Sequence, residues 1–375
     1  MDQGCHGARG GLNDASANKE TYVTTTDNKV YGVTGSAGFL GSHLVDMLLA
    51  RGGRVIGIDN LAYGRVENFA HHEGNPNFEF HKVDVCDAPA TEALLRQCDV
   101  IIHLAAHKIP RYASALKTLE VNGQGAHNVL EAARKRHEDG LPVRVVLAST
   151  SDVYGKSPNL PFAESDNLVL GPSHVPRWAY ATSKLYEEHL TFAYSDEYGF
   201  PTVLMRFFGS YGPRHHLSWW GGPQSVFISA ILKGETISIH GDGLQTRTFT
   251  FVEDTVRGIC ACVDAQTEGC EVFNIGAASG EIAIVDFGRL VHRLTREAFP
   301  ELDISAEAPL VFVPYASFSK RPYEDVRRRV PDITKSRDML GFEAQVSLEE
   351  GLRRTIAWHR PALEQHMAQQ GQAEG

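Results

Sequence analysis

An α/β fold, a doubly wound parallel sheet with a smaller C-terminal α/β region, is predicted by three features of the 375-residue sequence. Short apolar runs alternate with helical stretches from residue 29 onward. The runs are apolar almost throughout rather than at every second position, the pattern of strands covered on both faces. The first run passes through a glycine-rich turn into a helix, the junction at which doubly wound sheets bind dinucleotides.

Taken in order, KVYGVTG (29–35) reads as a strand, FLGSHLVDMLLARG (39–52) as a helix and RVIGIDN (54–60) as a second strand. FEFHKVDV (78–85), VIIHLAA (100–106) and RVVLAST (144–150) follow as strands, with helices near 88–97, 117–137 and 178–198. Beyond about residue 206 the character changes. RFFGSYGPRHHLSWWGGPQ (206–224) is rich in glycine, proline and aromatics and reads as a long loop of the kind that carries function. Short strands in TISIHGDG, RTFTFV and EVFNIG and helices at about 283–297 and 347–358 complete the chain. The expected organisation is a disordered tail (1–27), a cofactor-binding domain (28–205), a mainly substrate-binding domain (206–360) able to interleave with it, and a frayed tail (361–375).

Composition narrows the function. A net charge of −10 argues against nucleic acid as a partner, because phosphate backbones need a basic surface. No apolar run reaches the length of a membrane span, and the polar N-terminus lacks the apolar core of a signal peptide. The six cysteines (Cys5, Cys86, Cys98, Cys260, Cys262 and Cys270) form no C-x-x-C pair and no zinc pattern, so no metal is expected. Free thiols point to a reducing cytoplasm.

Three local patterns carry chemistry. In VTGSAGFLGSH, Gly35 permits a tight turn, Gly38 lets backbone approach a pyrophosphate, and Gly41 lets the helix pack against the strand. Helix N-terminal amides would bind the phosphates. Asp59 ends the next strand, where a carboxylate accepts adenosine ribose hydroxyls and repels a 2′-phosphate, favouring NAD over NADP. Asp84 and Val85 follow the third strand; Asp84 reads equally as an adenine contact or a strand-end cap.

The third pattern is YATSK, which sets Tyr180 and Lys184 one helical turn apart on one face. A free phenol titrates too high for a base at neutral pH, so an adjacent ammonium and the positive nicotinamide are expected to lower it. Lys184 would also hold the nicotinamide ribose. Tyr180 would take a proton from a substrate hydroxyl that Thr150 orients. Ser149, Thr150 and Ser151 would emerge at the carboxyl end of the sheet; Thr150 also reads as a simple cap.

TGSAGFLGSH, DN at 59–60, HLAA at 103–106, STSDVYG, Y-x-x-x-K, RFFGSYGPR, GDGLQTRTF and FNIG, in that order, resemble the extended short-chain dehydrogenase/reductase superfamily. The likeness spans roughly residues 29–360 and points to its nucleotide-sugar epimerase, dehydratase and decarboxylase branch. It implies a Rossmann domain, tightly held NAD, a nucleoside-diphosphate sugar, usually UDP-linked, and a homodimer. Cofactor contacts are implied from Gly35, Gly38, Phe39, Leu40, Gly41, Asp59, Asn60, Asp84, Val85, Leu104, Ala105, Ala106, Lys108, Tyr180 and Lys184. Catalytic roles are implied for Thr150, Ser151, Asp152, Tyr180 and Lys184. Substrate contacts are implied from Thr150, Gly209, Arg214, Trp219, Trp220, Arg247, Tyr323 and Arg329.

Enzymes of this branch oxidise C4 of the sugar, act on the 4-keto form and return the hydride. Three outcomes compete. Asp152 stands where dehydratases and uronate decarboxylases carry an acid, and Ser151 before it resembles the decarboxylases; Asp152 also reads as a strand-end cap. LVLGPSHVPRWAYATSK and PYEDVRRRVPDI are similar to uronate decarboxylases as well. At most one or two of Arg327, Arg328 and Arg329 are expected to touch ligand. Lys108 instead matches galactose-type epimerases, and Gly209 departs from the usual Asn. The breadth of the branch favours 4-epimerisation, with uronate decarboxylation as the alternative and 4,6-dehydration after it. A non-catalytic NAD-binding sensor or scaffold is the reading from a different class; such proteins lose the Tyr or the Lys, and this chain keeps both.

Overall fold

A computed structural model describes residues 28–108, 114–218, 221–318 and 323–360. The expected tails, Cys5, Trp219 and Trp220 lie outside the described residues. The first half of the chain forms β1 (Val30–Thr34), α1 (Phe39–Ala50), β2 (Arg54–Asp59), β3 (Phe78–Lys82), α2 (Ala88–Leu95) and β4 (Val100–His103). It continues through α3 (Ala115–Glu138), β5 (Arg144–Thr150), α4 (Trp178–Tyr198), β6 (Thr202–Phe207) and β7 (Ser210–Tyr211). Then come α5 (Pro223–Leu232), β8 (Ile237–His240), β9 (Thr246–Arg247), β10 (Thr250–Phe251), α6 (Val252–Asp264), β11 (Cys270–Ile275) and β12 (Ile282–Ala283). The last elements are α7 (Ile284–Ala298), β13 (Leu310–Val313), α8 (Tyr315–Phe318), β14 (Arg328–Arg329), α9 (Thr334–Leu340) and α10 (Leu348–Trp358).

Seven strands make one parallel sheet in the order β11-β6-β5-β4-β1-β2-β3. The order reverses between β1 and β4, so a crevice opens at their carboxyl ends, the usual ligand site of this architecture. Alternate residues of each strand face opposite layers, which explains the unbroken apolar runs. Ile56, Ile58, Ile101 and Val145 pack with Leu95 of α2, Val129, Leu130 and Ala133 of α3 and Tyr194 of α4. Val55, Val100, Ile102 and Val146 face the other way, onto Leu44, Val45 and Leu48 of α1 and Val256, Ile259 and Val263 of α6. Side-chain caps start two helices on the first face: Asp87 accepts from the Ala90 amide and Ser114 from the Lys117 amide. Among the described residues no helix is long and apolar enough to cross a membrane.

The structure adds elements that the sequence reading leaves out. β6 forms across the expected boundary at 205–206, because Arg206 is buried within the strand, paired with Glu188, and does not end the apolar run that resumes at Phe207. RTFTFV is not one strand: β9 and β10 occupy two residues each, and β10 passes directly into α6. The seventh strand of the large sheet, β11, comes from the half of the chain read as mainly substrate-binding, and pairs with β6 from Cys270↔Thr202 to Ile275↔Phe207. A small sheet of β12-β9-β14 sits in the C-terminal region, where Arg329 pairs in register with Arg247.

Candidate active site

The turn after β1 is shaped for close backbone approach. Gly35 has φ +71°, and a Cβ there would lie 2.9 Å from the Ala105 nitrogen. A Cβ at Gly41 would stand 2.0 Å from the Gly35 carbonyl oxygen, so α1 can begin against the turn only with glycine there. No side chain caps α1 and no acid sits in its first turn, which leaves its leading amides for an anion. Asp59 is 8% exposed; its two oxygens accept from the Ala37 amide (3.1 Å) and the Leu61 amide (2.8 Å). Each oxygen keeps a second lone pair for a ribose hydroxyl. Burial raises the carboxyl of Asp59, against those two amides. Asn60 donates to Asp84 (2.9 Å), and Asp84 also accepts from the Cys86 amide (2.9 Å), so Asp84 does act as a local cap. These residues fit NAD by the glycine cradle, the uncapped helix start and the ribose-facing acid.

At the end of β5, Thr150 serves twice. Its hydroxyl oxygen accepts from the Asp152 amide at 3.2 Å, the cap, and also bonds the phenol of Tyr180. Ser149 instead turns into the core, where its hydroxyl donates to Glu188. Lys184 is 1% exposed; its Nζ donates to the Ala148 carbonyl (2.9 Å) and to Glu187 (3.0 Å). One of its three N–H donors remains for a ligand. The ammonium by itself does not bring about the lowering of Tyr180 expected from it together with the nicotinamide. Burial, then the carboxylates of Asp152 and Glu187, raise its phenol above the ordinary value, while Thr150 and Arg329 oppose them. The physical reason is first burial of the phenol, to which the nearby carboxylates of Asp152 and then Glu187 add.

Beyond Tyr180 lies a cluster of three guanidiniums and two carboxylates. Asp152 pairs with Arg177 (3.1 Å) and with Arg329. Asp325 pairs with Arg177 (2.8 Å) and Arg247 (3.0 Å). Burial pushes Asp152 up, but Arg329, Arg177 and Arg247 together hold its carboxyl below the ordinary range. Arg247, 8% exposed, is lowered to about 10 by burial and stays charged at neutral pH. The β9–β14 register explains how two arginines far apart in sequence reach one place. Arg327 and Arg328 point elsewhere, pairing with Asp242 and Glu281.

Every sequence-predicted site residue within the described residues lines one cavity of about 760 Å³. Ser151 is buried at its wall, Tyr323 lies tilted against Tyr315 (5.0 Å between ring centroids), and burial lowers Lys108 to about 8. Gly209 has φ +48°, and a Cβ there would meet the Thr248 carbonyl oxygen at 2.6 Å, which accounts for glycine at this position. Arg214 pairs with Asp46 of α1 (2.7 Å), whose other oxygen meets His71 and His72 at 2.8 Å each. That trio has the chemistry of a metal site, but a guanidinium is already on its carboxylate. Sequence reasoning missed Arg177, Asp325, Glu187 and His215. Arg177 sits three residues before Tyr180 in PRWAY, a spacing that marks the same helix end. His215 stacks on Phe39 with ring centroids 3.9 Å apart.

A dinucleotide-binding sheet whose cavity carries Thr150, Tyr180 and Lys184 defines an extended short-chain dehydrogenase/reductase. The family model described as GDP-mannose 4,6 dehydratase matches residues 33–355. The chain belongs to the NAD-dependent nucleotide-sugar epimerase/dehydratase/decarboxylase branch of that superfamily, and its cofactor is NAD. It is 35% identical over 330 residues to a UDP-N-acetyl-α-D-glucosaminuronate decarboxylase of Bacillus cytotoxicus, covering 88% of this chain and 97% of that one. A UDP-glucuronic acid decarboxylase of Xenopus tropicalis is 35% identical over 345 residues, 92% of this chain and 75% of that one. Among solved structures, the UDP-glucuronic acid 4-epimerase of Bacillus cereus, in complex with UDP-glucuronic acid and NAD, superposes with a TM-score of 0.75 at 27% identity, covering 89% and 99% of the two chains.

Proposed function

We propose that this enzyme decarboxylates a UDP-linked uronate. The observation that carries the reading is the surplus of guanidinium beside Tyr180: among the described residues Arg177, Arg247 and Arg329 form their salt bridges with just two carboxylates, Asp152 and Asp325. A diphosphate and a C6 carboxylate are the groups such a cluster takes, since planar guanidiniums match both. The relatives named as uronate decarboxylases support the same substrate class. This reverses the order of the two leading readings drawn from sequence, which rested on the breadth of the branch.

NAD, held by Gly35, Gly38, Asp59 and Lys184, supplies reversible two-electron oxidation at C4 of the sugar. Tyr180 receives the O4 proton, and Thr150 orients that oxygen. Arg177 and Arg329 hold the C6 carboxylate, which replaces Asp152 on one of them. Once C4 is a ketone, the C6 acid is a β-keto acid. The C5–C6 bond breaks, CO2 leaves, and the bond pair delocalises onto O4, where the Tyr180 proton and the Thr150 hydroxyl stabilise it. C5 then takes a proton from water, and Tyr180 returns the O4 proton as C4 is reduced.

Epimerisation at C4 of the same uronate is the second reading, favoured by Lys108 in the cavity and by the 4-epimerase neighbour. Incubation with UDP-glucuronate and with UDP-N-acetylglucosaminuronate, followed by mass spectrometry, separates the two. Loss of the mass of CO2 is expected. Unchanged mass with a new NMR coupling at H4 would favour epimerisation, and turnover of neutral UDP-hexoses alone would remove the uronate from both.

We propose also that two copies associate through α3 and α4. Leu116 (64% exposed) and Leu119 (42%) share one face of α3 with Gly123, and Tyr186 of α4 (52%) lies against Gly123. Such a stripe suits a second copy of the same pair of helices.

A further inference from the structure

Tyr180, Lys184 and Glu187 stand four and three residues apart on α4, which puts them on a single stripe of that helix. Glu187 is 0% exposed, and a carboxylate buried so completely needs a reason. One oxygen accepts from Lys184 Nζ at 3.0 Å; the other is buried with no hydrogen-bond partner among the described residues. The adjacent Glu188 is occupied elsewhere, by Arg206 (2.7 and 2.9 Å) and Ser149, so it does not compete for the ammonium. Lys184 is therefore held from two sides, by the Ala148 carbonyl at the end of β5 and by Glu187.

We propose that Glu187 is a positioning residue for the reaction: it fixes Lys184 and, through the charge of that ammonium, governs when Tyr180 gives up its proton. The inference rests on Tyr180 being the proton acceptor, as proposed above. With Glu187 ionised, the ammonium is compensated and the phenol keeps its proton. With Glu187 protonated or neutralised, the ammonium is uncompensated and favours the phenolate.

The charged and titratable groups facing this stripe are few. On α4 itself they are Glu188 and Lys184. From β4 comes His103, which burial and then Lys184 lower to about 3, leaving it neutral. From β6 comes Arg206, committed to Glu188. Past β5 lies Asp152, with Arg329 from β14, both acting on Tyr180. Among these Glu187 is the group poised to change state near neutrality: burial raises it to about 7, against the pull of Lys184.

The test is Glu187→Gln, which keeps an oxygen for Lys184 and removes the charge. Tyrosine labelled at Cζ and observed by NMR, with the Tyr180 signal assigned from Tyr180→Phe, should titrate lower by about one unit or more in the variant. The acid limb of the kcat–pH profile should move down by a similar amount. A folded variant with lower thermal stability but an unmoved Tyr180 titration would overturn the proposal, because a purely structural carboxylate has that signature. A second measurement needs no variant: the Glu187 carboxyl carbon of the wild-type protein should titrate near 7. Titration in the ordinary carboxylate range would equally overturn it. Turnover retained by Tyr180→Phe would instead defeat the assignment of Tyr180, a separate failure.

Discussion

Asp152 shows how far a single residue could be read from the sequence. Its acidic character, and its place two residues after the strand-end Thr150, were legible in STSDVYG. Its state was not, because that is set by Arg329 and Arg177, which lie 177 and 25 residues away. Those partners hold the folded-state value below the ordinary 3.8. For a carboxylate with a lowered value the sign is fixed: the stability it contributes is present above 3.8 and is lost as pH falls below it. Asp152→Asn should therefore lower stability near neutrality, and the deficit should shrink in acid. Thermal melts of both proteins across a pH series check this; an equal gap at every pH would contradict it. Tyr180 carries the opposite lesson. Y-x-x-x-K was visible, but the raised phenol was not, because it comes from burial of the phenol and from the carboxylates of Asp152 and of Glu187, whose own burial the sequence does not show.

At the scale of the element, β14 does the most with the fewest residues. Its two-residue pairing with β9 turns Arg329 toward Asp152 and Arg328 outward to Glu281, since neighbours on a strand face opposite sides. Arg329→Ala should raise KM for a UDP-uronate about tenfold or more. Arg328→Ala, which breaks only an exposed pair, should change it by less than about twofold. Steady-state kinetics of the two variants tests the register directly, and equal effects would count against it. The sequence limited this contact to one or two of the three arginines without choosing, because a two-residue strand has no periodicity to read. The long elements behaved differently. The apolar runs of β1, β2, β4 and β5 and the amphipathic stretches of α1, α3 and α4 were each legible. Their signal comes from burial on both faces or on one stripe. α6 was passed over where the helix runs on directly from β10 with no turn between them, and β6 although Gly199 and Pro201 mark its start, because Arg206 breaks its apolar run.

For the molecule as a whole, the order of motifs was enough to give the sheet, the cofactor and the family. Which half supplies each strand was not, because β11 joins the large sheet from beyond residue 269. The proposed association through α3 and α4 belongs at this scale. Light scattering on the purified protein should give the mass of two chains, and Leu116→Glu combined with Tyr186→Glu should reduce it to one. A wild-type mass of one chain would contradict that interface. The pairing of β14 with β9, rather than with any strand of the large sheet, has a bearing on descent. Substitutions on β14 itself can alter which charges meet the sugar while leaving the strands that seat the nicotinamide dinucleotide paired as before. New substrate preferences can thus be sampled on a returning ribbon while the redox machinery is inherited unchanged.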